Sequence, residues 1–160
     1  MKTLIGIVIL ILTVLSCNNK NLEKMSTKNT ESLFPKGEKL PADWFTGNAY
    51  LSPLVAKDKN NEFSAGSVTF EIDARTNWHT HPKGQVLIVT EGSGFYQEKG
   101  KPAQVIKKGD VVNISENIEH WHGASATTSM THIAITNFKE EIQVTWLKAV
   151  TDEEFYEVNK

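Results

Sequence analysis

Trp78-His79-Thr80-His81-Pro82-Lys83-Gly84-Gln85-Val86-Leu87-Ile88-Val89-Thr90 is the stretch that decides the fold. Its two imidazoles stand at i and i+2, a spacing that puts both on one face of a strand. Pro82 and Gly84 allow a turn that brings Gln85 back toward the same point. Gln85–Thr90 then reads as a strand, being short, β-branched and apolar. A second pair, His120 and His122 in Glu119-His120-Trp121-His122-Gly123, repeats the i, i+2 spacing, and His132 follows in Thr131-His132-Ile133. All five histidines therefore fall between positions 79 and 132. A lone histidine in a strand is more often a core or surface residue than a ligand. Two such pairs predict a shared metal site.

Outward from these pairs the chain reads as strands and turns. In Ser67–Ile72, Val68, Phe70 and Ile72 alternate with Ser67, Thr69 and Glu71, the period-two pattern of a half-buried strand. Gly94–Gln97, Ala103–Ile106, Asp110–Ile114 and Met130–Thr136 are further short runs, punctuated by Gly92, Gly94, Gly100, Gly109 and Gly123. Runs spaced by about ten residues predict an all-β antiparallel sandwich or barrel. The one helix signal is terminal, where Thr151-Asp152-Glu153-Glu154 has capping-box form ahead of Phe155 and Val158.

The composition agrees with one globular domain: 160 residues, 39% apolar and 22% charged. Seventeen Lys+Arg against nineteen Asp+Glu, with Arg75 the sole arginine, give no basic excess, so nucleic acid is not an expected partner.

The N-terminus reads as an address. Lys2 precedes the uncharged run Leu4–Leu15, whose twelve residues rise about 18 Å as a helix, short of the roughly 30 Å hydrocarbon core. Residues 1–16 are expected to be a signal peptide. Val14-Leu15-Ser16-Cys17 resembles a bacterial lipobox, in which Cys17 would carry a lipid and be the only contact with a membrane; plain cleavage after Ser16 is the alternative. Residues 17–35, polar and poor in aromatics, are expected to be a tether, and 36–160 the folded domain. The expected location is the periplasm or cell envelope.

The histidine motifs resemble those of the cupins. Of the first cupin motif, G-x5-H-x-H-x3,4-E-x6-G, His79, His81, Gln85 and Gly92 occupy the last four places, with glutamine for glutamate; Asp73 stands at the leading glycine. The second, G-x5-P-x-G-x2-H-x3-N, is matched by Gly109 and His120, while Ser115, Asn117 and Ala124 replace its other members. Asp43–Gly47, Trp78–Pro82, His120–Ala124 and Met130–Ile135 are similar to the bacterial cupins that include the manganese-dependent (R)-selective hydroxynitrile lyases. That resemblance implies a jelly-roll barrel with a short C-terminal helix and a homodimer or higher homo-oligomer. It implies one divalent metal ion per chain on His79, His81, Gln85 and His120, with His122 and His132 lining the cavity. Thr136 departs from the longer polar side chain common there.

Such a ligand set is neutral, which leaves the metal's charge uncompensated and makes a strong Lewis acid. Mn or Fe is expected, and Zn, Ni or Co is compatible with the same donors. His132 is the candidate general base and His122 a second candidate, a hydrogen-bonded histidine orienting a ligand being the alternative for both. Arg75 is expected either to grip an anionic substrate or to pair with Asp73 or Asp110. Trp78 and Trp121 should point away from the metal, and Phe70, Leu87 and Val89 should wall the cavity. The resemblance implies a lyase acting on a small hydroxylated or carbonyl compound, concretely cyanohydrin cleavage. A metal-dependent dioxygenase and a non-catalytic binding protein at the envelope are the alternatives.

Overall fold

Alternating and β-branched runs become strands in the computed structural model, which describes residues 32–160. The leader, Cys17 and the tether as far as residue 31 lie outside the described residues. In chain order the elements are β1 (Glu38–Lys39), β2 (Phe45–Thr46), β3 (Ala49–Val55), β4 (Phe63–Phe70), β5 (Arg75–Thr76) and β6 (His79–Thr80). There follow β7 (Gln85–Glu98), β8 (Gln104–Lys107), β9 (Val111–Ile114), β10 (His120–Ala124), β11 (Met130–Asn137), β12 (Thr145–Trp146) and the helix α1 (Asp152–Val158).

All pairings are antiparallel, in the order β1-β3-β4-β11-β7-β10-β5-β2. The sheet curls on itself because β7 serves two faces. Its first half pairs with β11 and β9, and its second half with β10 and β8. The two runs expected over Gln85–Thr90 and Gly94–Gln97 are thus one bent strand of 14 residues, with no turn between them. Gly92 and Gly94 make the bend instead. Gly92 has φ 67°, and a Cβ there would lie 1.9 Å from the Ser129 carbonyl oxygen; one on Gly94 would lie 2.0 Å from that of Gly123. Asp73 (φ 67°) and Asn117 (φ 59°) hold the left-handed conformation at positions where the cupin motifs carry glycine. Asp73 also ends β4 early, so Ile72, expected on its buried face, lies outside the strand and is exposed.

Between the two faces sits the core. Phe70, Leu87, Val89, Ile114 and Met130 from one meet Phe45, Tyr96, Ile106 and Ala124 from the other. Burying each large apolar side chain contributes roughly 1.5–3 kcal/mol. A second cluster lies outside the barrel: Trp78 and Trp121 pack with Val150 and Phe155 beneath α1, pointing away from the histidines as expected. Thr151 and Glu154 form the expected capping box. Arg75 belongs to this outer layer and not to the cavity. Its Nη2 donates to the Val150 carbonyl (3.1 Å) and to Asp152 Oδ1 (2.5 Å), and its guanidinium lies 4.4 Å from the Phe155 ring centre. Neither Asp73 nor Asp110 pairs with it as expected, because the returning C-terminus brings a carboxylate and a carbonyl directly to its head group; Asp73 contributes only its backbone carbonyl.

Candidate metal centre

His79 on β6 and His120 on β10 are direct cross-strand partners, and their ring centroids are 4.2 Å apart. His81 lies 5.0 Å from His79 and 5.5 Å from His120. On β10, His120, His122 and Ala124 share the inner face while Trp121 turns outward, so the i, i+2 pair delivers both imidazoles inward. All five histidines and Gln85 are buried, and the structure brings every predicted site residue into one cluster.

Backbone carbonyls orient three of these rings. Nδ1 of His79 donates to Asn77 O (2.9 Å), that of His81 to Gln143 O (2.5 Å), and that of His120 to Ile118 O (2.8 Å). Each bond fixes the tautomer that leaves Nε2 as a lone pair, the usual outer support of a metal-bound imidazole. The turn expected at Pro82–Gly84 forms, with Gly84 N donating to His81 O (3.2 Å), and it starts β7 with Gln85 facing inward. Gln85 Nε2 donates to Thr136 Oγ1 (2.9 Å).

Besides His132 Nδ1, three atoms of this cluster are buried and have no hydrogen-bond partner: His81 Nε2, His120 Nε2 and Gln85 Oε1. Buried polar atoms without partners are rare, and these three share one chemistry, the neutral lone pair. Burial drives the imidazoles toward that form. It lowers His120 to about 4, lowers His81, and pushes His79 well below its usual range, where His120 and His81 add to the effect. Neutral nitrogen and oxygen donors are what a divalent ion requires, and the residues fit one. His79, His120 and His122 also each offer a nitrogen within 4.8 Å of the others, so three histidines could bind a metal ion.

His132 stands behind His122, its Nε2 3.2 Å from His122 Nδ1, and Phe70 packs against both rings. Burial lowers His132 to about 4 and His122 well below its ordinary value. His122 N–H donates to Thr76 Oγ1 (3.2 Å). Of the pair, His122 is nearer the other histidines, at 5.3 Å from His79.

Above the cluster opens a cavity of about 330 Å³. One side is Leu40, Leu51, Gly66, Val68 and Ala134, and the other Trp44, Phe45, Val144 and Trp146. Phe70, Leu87 and Val89, expected as walls, face inward but lie below it in the closed end of the barrel. Each sits on the inner face two or four residues deeper than the true lining, Gly66 and Val68 on β4 and Gln85 on β7. Periodicity gives a face and not a depth. Two residues escaped sequence reading. Trp146, the cross-strand partner of His79, lies 4.9 Å from its ring and stacks on Trp44 (5.5 Å, 7°); Gln143 supplies the carbonyl that orients His81. Both lie in a segment without pattern, and only pairing with β6 reveals them.

A small curled antiparallel barrel with lone-pair donors at the floor of an apolar cavity defines a class of jelly-roll proteins. The cupin domain profile matches residues 66–136, which hold all five histidines and Gln85. Over 115 residues the chain is 49% identical to the (R)-mandelonitrile lyase of Granulicella tundricola, covering 72% of this chain and 88% of that one. A cupin-like protein of Thermotoga maritima, known from its crystal structure, is 45% identical with a TM-score of 0.77, covering 81% of this chain and 98% of that one. A cupin 2 conserved barrel domain protein of Rhodopseudomonas palustris shares the fold at 15% identity, with a TM-score of 0.58, covering 75% and 80%. The chain belongs to the cupin family, and within it resembles the hydroxynitrile lyase cupins.

Proposed function

We propose that this cupin is a metal-dependent lyase that cleaves small aromatic cyanohydrins, with one divalent ion, Mn or Fe, on His79, His81, Gln85 and His120. The observation that carries this reading is the chemistry of the cavity. Neutral donors form its floor, aromatic and aliphatic side chains form its walls, and among the described residues none lining it is an acid, a lysine or an arginine. Such a space suits a neutral molecule with one polar end and one apolar end. The (R)-mandelonitrile lyase relative points to the same class of substrate.

An ion held by those four residues supplies Lewis acidity that lowers the pKa of a bound hydroxyl. The aromatic wall orients the aryl group of the substrate. The His122–His132 pair accepts the hydroxyl proton, His122 from the cavity and His132 from behind. As the carbonyl forms, the bond to the nitrile carbon breaks and its electron pair leaves with cyanide. The proton then passes to cyanide, so hydrogen cyanide and an aldehyde are released and no oxidant is consumed. Cyanide release from mandelonitrile is expected at equal rates under air and under argon. Oxygen uptake with product formation, and no cyanide from any cyanohydrin tried, overturns this reading.

We further propose that the chain is exported and held at the cell envelope by a lipid on Cys17. The support is the Leu4–Leu15 run behind Lys2 and the lipobox-like junction at Cys17. Stable anchoring generally takes more than one acyl chain, which a lipoprotein cysteine carries. Cys17→Ser is expected to shift the protein out of the membrane fraction or leave it unprocessed. Recovery of the wild type in the soluble periplasmic fraction contradicts the anchor.

A further inference from the structure

Gln85 opens β7 and Thr136 lies near the end of β11, and the two are direct cross-strand partners. Both are buried, and Gln85 Nε2 donates to Thr136 Oγ1 at 2.9 Å while Gln85 Oε1 has no partner. An amide has two ends of similar shape and opposite chemistry: the oxygen presents lone pairs, whereas the NH₂ group presents only donors. Only one orientation is useful to a cation. We propose that Thr136 holds the amide in this orientation, by accepting its N–H and so leaving Oε1 free on the side of the histidines, and that it thereby sets the affinity of the site for a divalent ion.

Three features of the sheet support this role. The pairing register places the two Cα atoms opposite one another, so the hydrogen bond follows from the sheet and not from a flexible loop. Threonine is β-branched and stiff at χ1, which holds its oxygen in place. Ser64, the neighbour of Thr136 on the other side, has its hydroxyl engaged with Gln143 Oε1 (2.9 Å), so among the described residues Gln85 is the partner found for the Thr136 hydroxyl. The short side chain at position 136 therefore has a use of its own. It leaves the cavity open and acts through Gln85, as a positioning residue that need not touch substrate.

The inference rests on the reading of Gln85 as a ligand, and the test separates the two. Mn²⁺ affinity of the purified protein is measured by competition with a chelator, with the melting temperature of the metal-free form as a check on folding. Thr136→Val removes the hydroxyl and is expected to weaken binding about 10–100-fold, the usual effect of losing a group that orients a ligand. Thr136→Ser keeps the hydroxyl and is expected to stay within about twofold of wild type, the ordinary scatter for a change without coupling. Thr136→Ala serves the same comparison if the valine variant does not fold. In the Gln85→Glu background the ligand has two equivalent oxygens and no N–H end to hold back, so Thr136→Val should lose most of its effect there. Equal weakening in both backgrounds, or unchanged affinity in Thr136→Val and Thr136→Ala while Gln85→Ala binds weakly, overturns the inference and leaves the ligand reading standing. Unchanged affinity in Gln85→Ala overturns the ligand reading itself.

Discussion

His79 and His120 come from strands 41 positions apart in the chain, yet they oppose each other directly across β6 and β10, with rings 4.2 Å apart. Two donor sets share this pair. One adds His81 and Gln85, whose lone pairs are buried without partners; the other adds His122, whose nitrogen lies within 4.8 Å of both. The buried, unpartnered atoms His81 Nε2 and Gln85 Oε1 favour the first set. His79→Ala, His81→Ala and His120→Ala are each expected to lose the bound metal, and His122→Ala to retain it. Metal content of the purified variants by mass spectrometry decides this, and loss of metal in His122→Ala with retention in His81→Ala reverses the assignment.

The role proposed for the His122–His132 pair can be separated from metal binding by substitution. General-base assistance is typically worth about 10²–10⁴-fold, so His132→Ala is expected to lose activity on that scale while keeping its metal. Groups that work in series are not additive. The double variant His122→Ala/His132→Ala should therefore be no slower than the slower single variant. Multiplied losses in steady-state kinetics would show that the two histidines act separately.

The parts of this site legible in the sequence were those governed by local spacing. The HxH pairs report a strand face directly, and the Pro82–Gly84 turn announces that Gln85 returns to it. Asn117 keeps the left-handed backbone of the motif glycine it replaces, which is a local property. What escaped reading depends on long-range pairing. β7 runs on through Gly92 and Gly94 because two other strands receive its halves, and nothing within Gln85–Glu98 signals them. Arg75 meets Asp152 through the return of the C-terminus, a contact across 77 positions. Trp146 reaches the cavity only because β12 pairs with β6.

Glu71 makes a small, pH-dependent surface contribution to the fold. Its carboxylate accepts from Lys36 Nζ (2.7 Å), Asn48 Nδ2 (2.9 Å) and Tyr50 Oη (3.2 Å), and Lys36 first, then Asn48, lowers its pKa from 4.5 to about 2. A depressed carboxylate stabilises the fold above its unfolded value and loses that contribution as pH falls through the folded value. Glu71→Gln should thus be less stable than wild type above pH 4.5, with the gap closing toward pH 2. Urea unfolding at stepped pH reads this, and a gap that stays constant over the range would assign the effect to packing instead.

If the proposed activity holds, Trp146 is expected to set a preference for aromatic substrates. Its ring lies 4.9 Å from that of His79 and stacks on Trp44, and it meets Phe45 in a T-shaped contact at 5.4 Å (63°). The indole is therefore held flat beside the metal ligands, where an aryl ring can pack on the apolar wall. An aromatic pair is worth about 0.5–1.5 kcal/mol beyond its area, and about 1.4 kcal/mol corresponds to tenfold in binding. Trp146→Leu keeps an apolar side chain and removes the ring, so KM for mandelonitrile should rise up to about tenfold, with kcat little changed. The cyanohydrin of a small aliphatic ketone should be nearly indifferent to the same substitution. Trp44→Ala removes a neighbouring part of the same wall and the support of Trp146, and should show the same selectivity. Equal losses for aromatic and aliphatic substrates would mean that the indole supports His79 and not the substrate, and metal content of Trp146→Leu would fall with them.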